Sequence, residues 1–232
     1  MKIRVASAAL LLVGTLTWQG AGAQQSPTPT KPTSETSGEQ NSGRMFGIIP
    51  AFNVTDAENA PPMTSGEKYH LALRSTVDPV AFLAAAGKAG FNQAVDFPAG
   101  FGQGGAGYGK RFGAAFADGA SGKLLRTGVF PSLLHQDPRY FRKRQGSFKS
   151  RLGYSLSRTF VTRTDSREQA FNWSRILGSF GSAGLSNVYY PPENRGVQVT
   201  FVNVGYSLLG ESLNNVLKEF WPDIQRRMRG SN

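Results

Sequence analysis

The sequence predicts an all-α fold: a compact, glycine-rich bundle of five or six helices behind a disordered N-terminal spacer. Three observations predict it. Small residues recur every fourth position at Gly105, Gly109, Gly113, Ala117 and Ser121. The same spacing returns at Ser174, Gly178, Ser182 and Ser186. Residues four apart stack on one helix face, so each series predicts a nearly bare face suited to close helix packing. The third observation is the tract 24–43, made of Gln, Ser, Thr, Pro and Gly, which has too few apolar groups to bury a core.

Residues 1–23 read as a secretory signal peptide. Lys2 and Arg4 form its positive start, Val5 to Trp18 its apolar centre, and Ala21-Gly22-Ala23 a small-residue cleavage pattern. Its apolar run is short for a bilayer span. Removing Lys2 and Arg4 lowers the formal charge from +11 to +9. The spacer extends over 24–62 and holds an apolar run, Met45 to Phe52, read as an extended strap.

The helical domain covers 63–225. A short helix spans Ser65 to Arg74. Asp78-Pro79 is a helix start, a capping carboxylate followed by proline in the first turn, and Val80 to Val95 continues from it. In Gly105–Ser121 the aromatic series Tyr108, Phe112, Phe116 flanks the bare face, and Lys110, Arg111, Asp118 and Lys123 fall on the remaining surface. Each internal glycine costs roughly 1 kcal/mol relative to alanine, so packing must stabilise this helix. Phe130-Pro131 and Asp137-Pro138 break the chain beyond this helix into short pieces. Phe148 to Arg163 reads as a helix, although Tyr154, Leu156, Arg158 and Phe160 also alternate as in a strand. Phe171 to Tyr190 is a second small-faced helix, expected to pack on Gly105–Ser121 through Gly178 and Ser182. Val197 to Phe220 closes the domain on a face of Phe201, Val204, Leu208, Ser212, Val216 and Phe220, with a strand start at 197–200 as the alternative. Trp221-Pro222 ends that helix, and 226–232 is a basic tail.

Two nucleotide-like patterns lack their context. Gly102, Gly104 and Gly107 spell G-x-G-x-x-G, but no strand precedes them. Gly104 to Lys110 spells G-x-x-x-x-G-K, but position 111 is arginine where magnesium needs a hydroxyl. Cysteine is absent, which excludes disulfides and thiolate metal sites. His70 and His135 are the only histidines, so no histidine-rich metal site is expected, and no cofactor is implied.

The run His135-Gln136-Asp137-Pro138-Arg139-Tyr140-Phe141-Arg142 resembles the most recognisable block of an uncharacterised family of exported bacterial proteins. Phe160 to Asp165, Ser186 to Pro191 and Glu219 to Asp223 fit the same pattern. The resemblance covers roughly 62–225 and implies no activity, ligand or site residue.

Chemistry is suggested in two places. Eight bases and no acid lie between 139 and 163, among them Arg139, Arg142, Lys143, Arg144, Lys149 and Arg151, interleaved with Tyr140, Phe141, Phe148 and Tyr154. In a cytoplasmic protein this pattern would suggest nucleic acid. Behind a signal peptide it points to lipid headgroups or an acidic envelope polymer. The second place is His135, where Asp137 and Arg139 stand within reach, as in a carboxylate-oriented general base. No G-x-S-x-G elbow and no cysteine nucleophile accompany them. The expected function is therefore a non-enzymatic exported envelope protein, in the periplasm or outer envelope, binding an anionic surface with peripheral membrane contact and no nucleic-acid partner. The alternatives are an integral membrane bundle sealed by small-residue faces, and a hydrolase using His135 and Asp137.

Overall fold

The computed structural model describes residues 44–45, 49–50, 53–56 and 60–230. The signal-peptide and spacer readings at 1–43 lie outside the described residues, as does most of the 45–52 strap. Of that strap, β1 (Arg44–Met45) and β2 (Ile49–Pro50) pair antiparallel. The short strand β3 (Val54–Thr55) joins the domain by parallel pairing with β5 (Tyr140–Phe141).

The described residues fold as a mainly helical assembly of six helices with a few short strands, as the sequence predicts. Helix α1 (Ser65–Thr76) starts at Thr64, whose side chain accepts from the Glu67 N–H while the Glu67 carboxylate accepts from the Thr64 N–H, a reciprocal cap. Helix α2 (Pro79–Ala94) starts at Asp78, whose carboxylate accepts from the Val80 N–H. Helix α3 runs as Gly104–Lys123, widens into a π segment over Leu124–Val129, and resumes over Phe130–Leu133. Pro131 therefore does not break the chain at Phe130. It has no N–H to give to Thr127, and the wider turn before it absorbs that loss.

Helices α2 and α3 pack through alanines, with Ala85, Ala89, Ala114 and Ala115 buried and the Phe82 and Phe116 rings stacked at 4.8 Å. The buried face of α3 is Gly107, Arg111, Ala114, Ala115 and Gly122. Gly105, Gly109 and Gly113 turn the other way, with open space where a Cβ would sit. The lower turn of α3 does meet α5 (Trp173–Ser186), where the Ser121 and Ser182 hydroxyls are 3.0 Å apart. Asp118 anchors the chain beyond α5 by accepting from the hydroxyls of Tyr189 and Tyr190, each at 2.8 Å. The small face of α5 continues along the π segment: a Cβ at Gly178 would lie 2.6 Å from Arg126 Cγ.

Arg111, expected on the surface, is buried. Its guanidinium donates to the carbonyls of Phe97, Gly102 and Pro98 and to Gln93 Oε1, tying down the 96–102 loop. Gly102 and Gly104 both adopt φ of +74°, and a Cβ at Gly107 would collide with the Gly102 carbonyl. The glycines of the nucleotide-like pattern thus serve a tight helix entry.

Residues 148–163 divide the two readings between them. Helix α4 (Phe148–Ser157) is capped by Ser147, and β6 (Val161–Thr164) comes after it. Strand β6 sits between β4 (Gln136–Asp137) and β7 (Gln169–Phe171) in an antiparallel sheet. Helix α6 (Val197–Arg229) is helical from its first residues and passes through Pro222, so the chain does not end its helix at Trp221 and 226–229 is no separate tail. Pro222 cannot donate to the Lys218 carbonyl. Arg142 Nε donates to that oxygen at 2.7 Å, and Arg151 Nη2 donates to the next one, Glu219 O, at 2.7 Å.

Candidate functional site

The Tyr140–Arg144 stretch meets α6 at Glu219. Glu219 is fully buried, and one carboxylate gathers four donors. The Tyr140 hydroxyl donates at 2.9 Å, the Lys143 and Arg144 N–H groups at 3.0 and 3.2 Å, and Arg151 Nε at 2.9 Å. Glu219 thereby fixes the 140–144 loop against α4 and α6. Burial, then the Glu219 charge and hydrogen bond, push the Tyr140 phenol well above its ordinary pKa.

This arrangement divides the predicted anion-binding residues into two groups. Arg139 closes on Asp137 with Nε at 3.0 Å and Nη2 at 2.6 Å. Arg142 pairs with Asp56 at 3.1 Å as well as capping Lys218 O. Arg151 is held by Glu219 and by Asp223 at 2.5 Å. These three are committed to holding the fold. Lys143, Arg144 and Lys149 remain exposed on the loop and first turn between β5 and α4. Phe148 stands among them, 65% exposed, with its ring 5.0 Å from Phe220. Arg227 and Ile224 border the same corner.

Helix α6 explains why the corner is apolar as well as basic. At 100° per residue, Val202, Tyr206, Leu209, Leu213, Phe220 and Ile224 share one face. The first four are exposed, Tyr206 at 70% and Leu213 at 62%. The opposite face carries Val204, Ser207, Glu211, Asn215 and Lys218, of which Val204, Asn215 and Lys218 are buried. The core face expected from the sequence is therefore misplaced: of Phe201, Val204, Leu208, Ser212, Val216 and Phe220, only Val204 is fully buried. The helix turns its polar side inward because its interior contacts are ion pairs. Glu211 accepts from Arg175 at 3.2 Å and from Lys218 at 3.4 Å. Burial alone would raise the Glu211 pKa, but Arg175, Lys218 and Arg126 outweigh it and hold the carboxyl at about 2. Burial lowers the Lys218 pKa, against the pull of Glu211.

The His135 constellation does not assemble as a catalytic dyad. Asp137 is buried and saturated by Arg139, including the Arg139 N–H at 2.9 Å. His135 sits at φ +52°, 82% exposed, with Nδ1 3.7 Å from Asp165 rather than against Asp137. Asp165 in turn accepts from the buried Lys68 at 2.8 Å. No group of three or more metal-ligating side chains occurs among the described residues.

The basic charge at 139–163 is visible in the sequence, but the structural roles of Glu219 and Glu211 and the outward turn of α6 are not. Pro222 inside an otherwise helical pattern was the available signal, because a proline there frees a carbonyl that some other donor must satisfy. No protein-family model, curated protein or solved structure matches this chain.

Proposed function

We propose that this chain is a non-enzymatic exported envelope protein that docks peripherally on an anionic lipid surface, using Lys143, Arg144 and Lys149 around Phe148. The observation that carries this reading is the inside-out α6, whose outward apolar stripe leads to the basic corner at Phe148 and Phe220. An acidic polymer would engage the bases but leave the apolar stripe in water, whereas a lipid interface accommodates both. A basic side chain near an anionic bilayer contributes about 1 kcal/mol, and burying one phenylalanine about 1.5–3 kcal/mol. Three bases and Phe148 together give roughly 5 kcal/mol, a weak and reversible association comparable to a single acyl chain. The integral-bundle alternative has less support, since no helix among the described residues is long and apolar enough to cross a membrane.

Fractionation of producing cells tests the reading. Membranes are washed with high salt and then with alkali, and the protein is followed by immunoblot. Release by salt is expected. Retention through alkali, or absence from the membrane fraction before any wash, contradicts it.

A further inference from the structure

Beneath the corner lies a cavity of about 30 Å³ bounded by β5, β6, α5, α6 and the π segment. Six cationic side chains line it, Arg126, Arg139, Arg158, Arg163, Arg175 and Lys218, against two carboxylates, Asp137 and Glu211. Asp137 is saturated by Arg139, and Glu211 is shared between Arg175 and Lys218. Arg126 has no carboxylate or carbonyl at bonding distance among the described residues. The buried Nε of Arg158 also has no partner, while its Nη2 donates to Gln169 at 3.0 Å. The Arg158 Nε–H, left unpaired away from water, carries a full desolvation cost. The charge is felt at Arg126: burial, then the neighbouring Arg175, push its pKa down to about 10, with Glu211 opposing.

We infer that this cavity is a binding site for a small inorganic anion, held between the guanidinium groups of Arg126 and Arg158 and facing Arg175 and Lys218. The positive excess selects an anion; guanidinium N–H groups draw a halide by charge and fit an oxyanion bidentately. The volume admits a water molecule or one small ion, far below the roughly 300–1,000 Å³ of sites that take organic ligands. The inference also accounts for the small residues at two helix positions. The Arg126 stem lies against Gly178 and its guanidinium over Gly122, so a side chain at either position would displace the arginine from its present place. The four-residue small face of α5 thus admits an arginine where the sequence suggested only a neighbouring helix.

The test is thermal unfolding of the full chain with chloride or phosphate titrated against gluconate at constant ionic strength. A saturable rise in Tm is expected with at least one of the two, and which one identifies the ion. At 100 times its Kd the ion raises Tm by roughly 5–10 °C in a domain of this size. Arg126→Met keeps the aliphatic stem against Gly178 and is expected to abolish the rise. Should that variant fail to fold, Arg158→Met takes its place with the same expectation. No rise with either anion, or a rise that persists unchanged in the folded variant, overturns the inference.

Discussion

Glu219→Ala removes the acceptor on which the basic corner is hung. The Lys143 and Arg144 N–H groups and the Tyr140 hydroxyl lose their partner, and Arg151 keeps only Asp223 and the Glu219 carbonyl. Each orphaned buried donor costs about 1–3 kcal/mol, and breaking a buried ion pair by deleting one partner costs about 3–5 kcal/mol. These overlap, because a donor that relaxes to water escapes its penalty, so the net loss expected is about 3–5 kcal/mol. For a domain of this size that corresponds to a Tm lower by roughly 6–20 °C. Glu219→Gln retains the shape and one acceptor oxygen and is expected to lose less. Calorimetry or circular dichroism melting of the two variants beside the parent reads the difference. A Glu219→Ala variant melting within about 2 °C of the parent refutes the claim that this carboxylate organises the corner.

The same contacts set three further outcomes. Gly178→Ala destabilises, because its Cβ would meet Arg126 Cγ at 2.6 Å, whereas Gly113→Ala in open space stabilises by roughly 0.5–1 kcal/mol through helix propensity; urea melts should move in opposite directions. The Glu211 carboxyl, held at about 2 in the folded chain against 4.5, contributes on the order of 3 kcal/mol that is present above pH about 4.5 and lost as pH falls toward 2. Acid denaturation should accordingly be steeper in the parent than in Glu211→Gln. The phenols of Tyr140, Tyr189 and Tyr190 are raised by burial and by their carboxylate partners, so folded chains hold them protonated while unfolded ones ionise. Stability is therefore lost as pH rises above about 10, and ultraviolet titration should show these three ionising only as the chain unfolds.

The helices were legible where local chemistry dictates them. Asp78-Pro79 starts α2 because a carboxylate cap followed by proline in the first turn favours helix entry. The small face of α5 was legible from spacing alone. Spacing states which residues share a face, however, and not which way that face turns. Gly105, Gly109 and Gly113 share the stripe that the sequence shows, yet it lies open while Arg111 is buried by loop carbonyls. Helix α6 fails the same way for a different reason. Its inward face is chosen by Arg175 and by the loop around Arg142, elements far away in sequence, so an apolar periodicity points outward. The basic stretch was legible as charge. Its division into structural arginines (Arg139, Arg142, Arg151) and exposed bases (Lys143, Arg144, Lys149) depends largely on Asp56, Glu219 and Asp223, which are remote from it in the chain.

The claim that the exposed bases dock the protein on anionic lipid is tested most directly by co-sedimentation with phosphatidylcholine vesicles containing graded phosphatidylglycerol. The parent is compared with the variant Lys143→Glu, Arg144→Glu, Lys149→Glu. Binding by the parent is predicted to rise with phosphatidylglycerol content and fall with salt. At about 1 kcal/mol per base, the triple variant is predicted to bind at least about a hundredfold more weakly with an unchanged melting curve. Equal binding by the two proteins, or binding by the parent that ignores the anionic lipid content, would contradict the account.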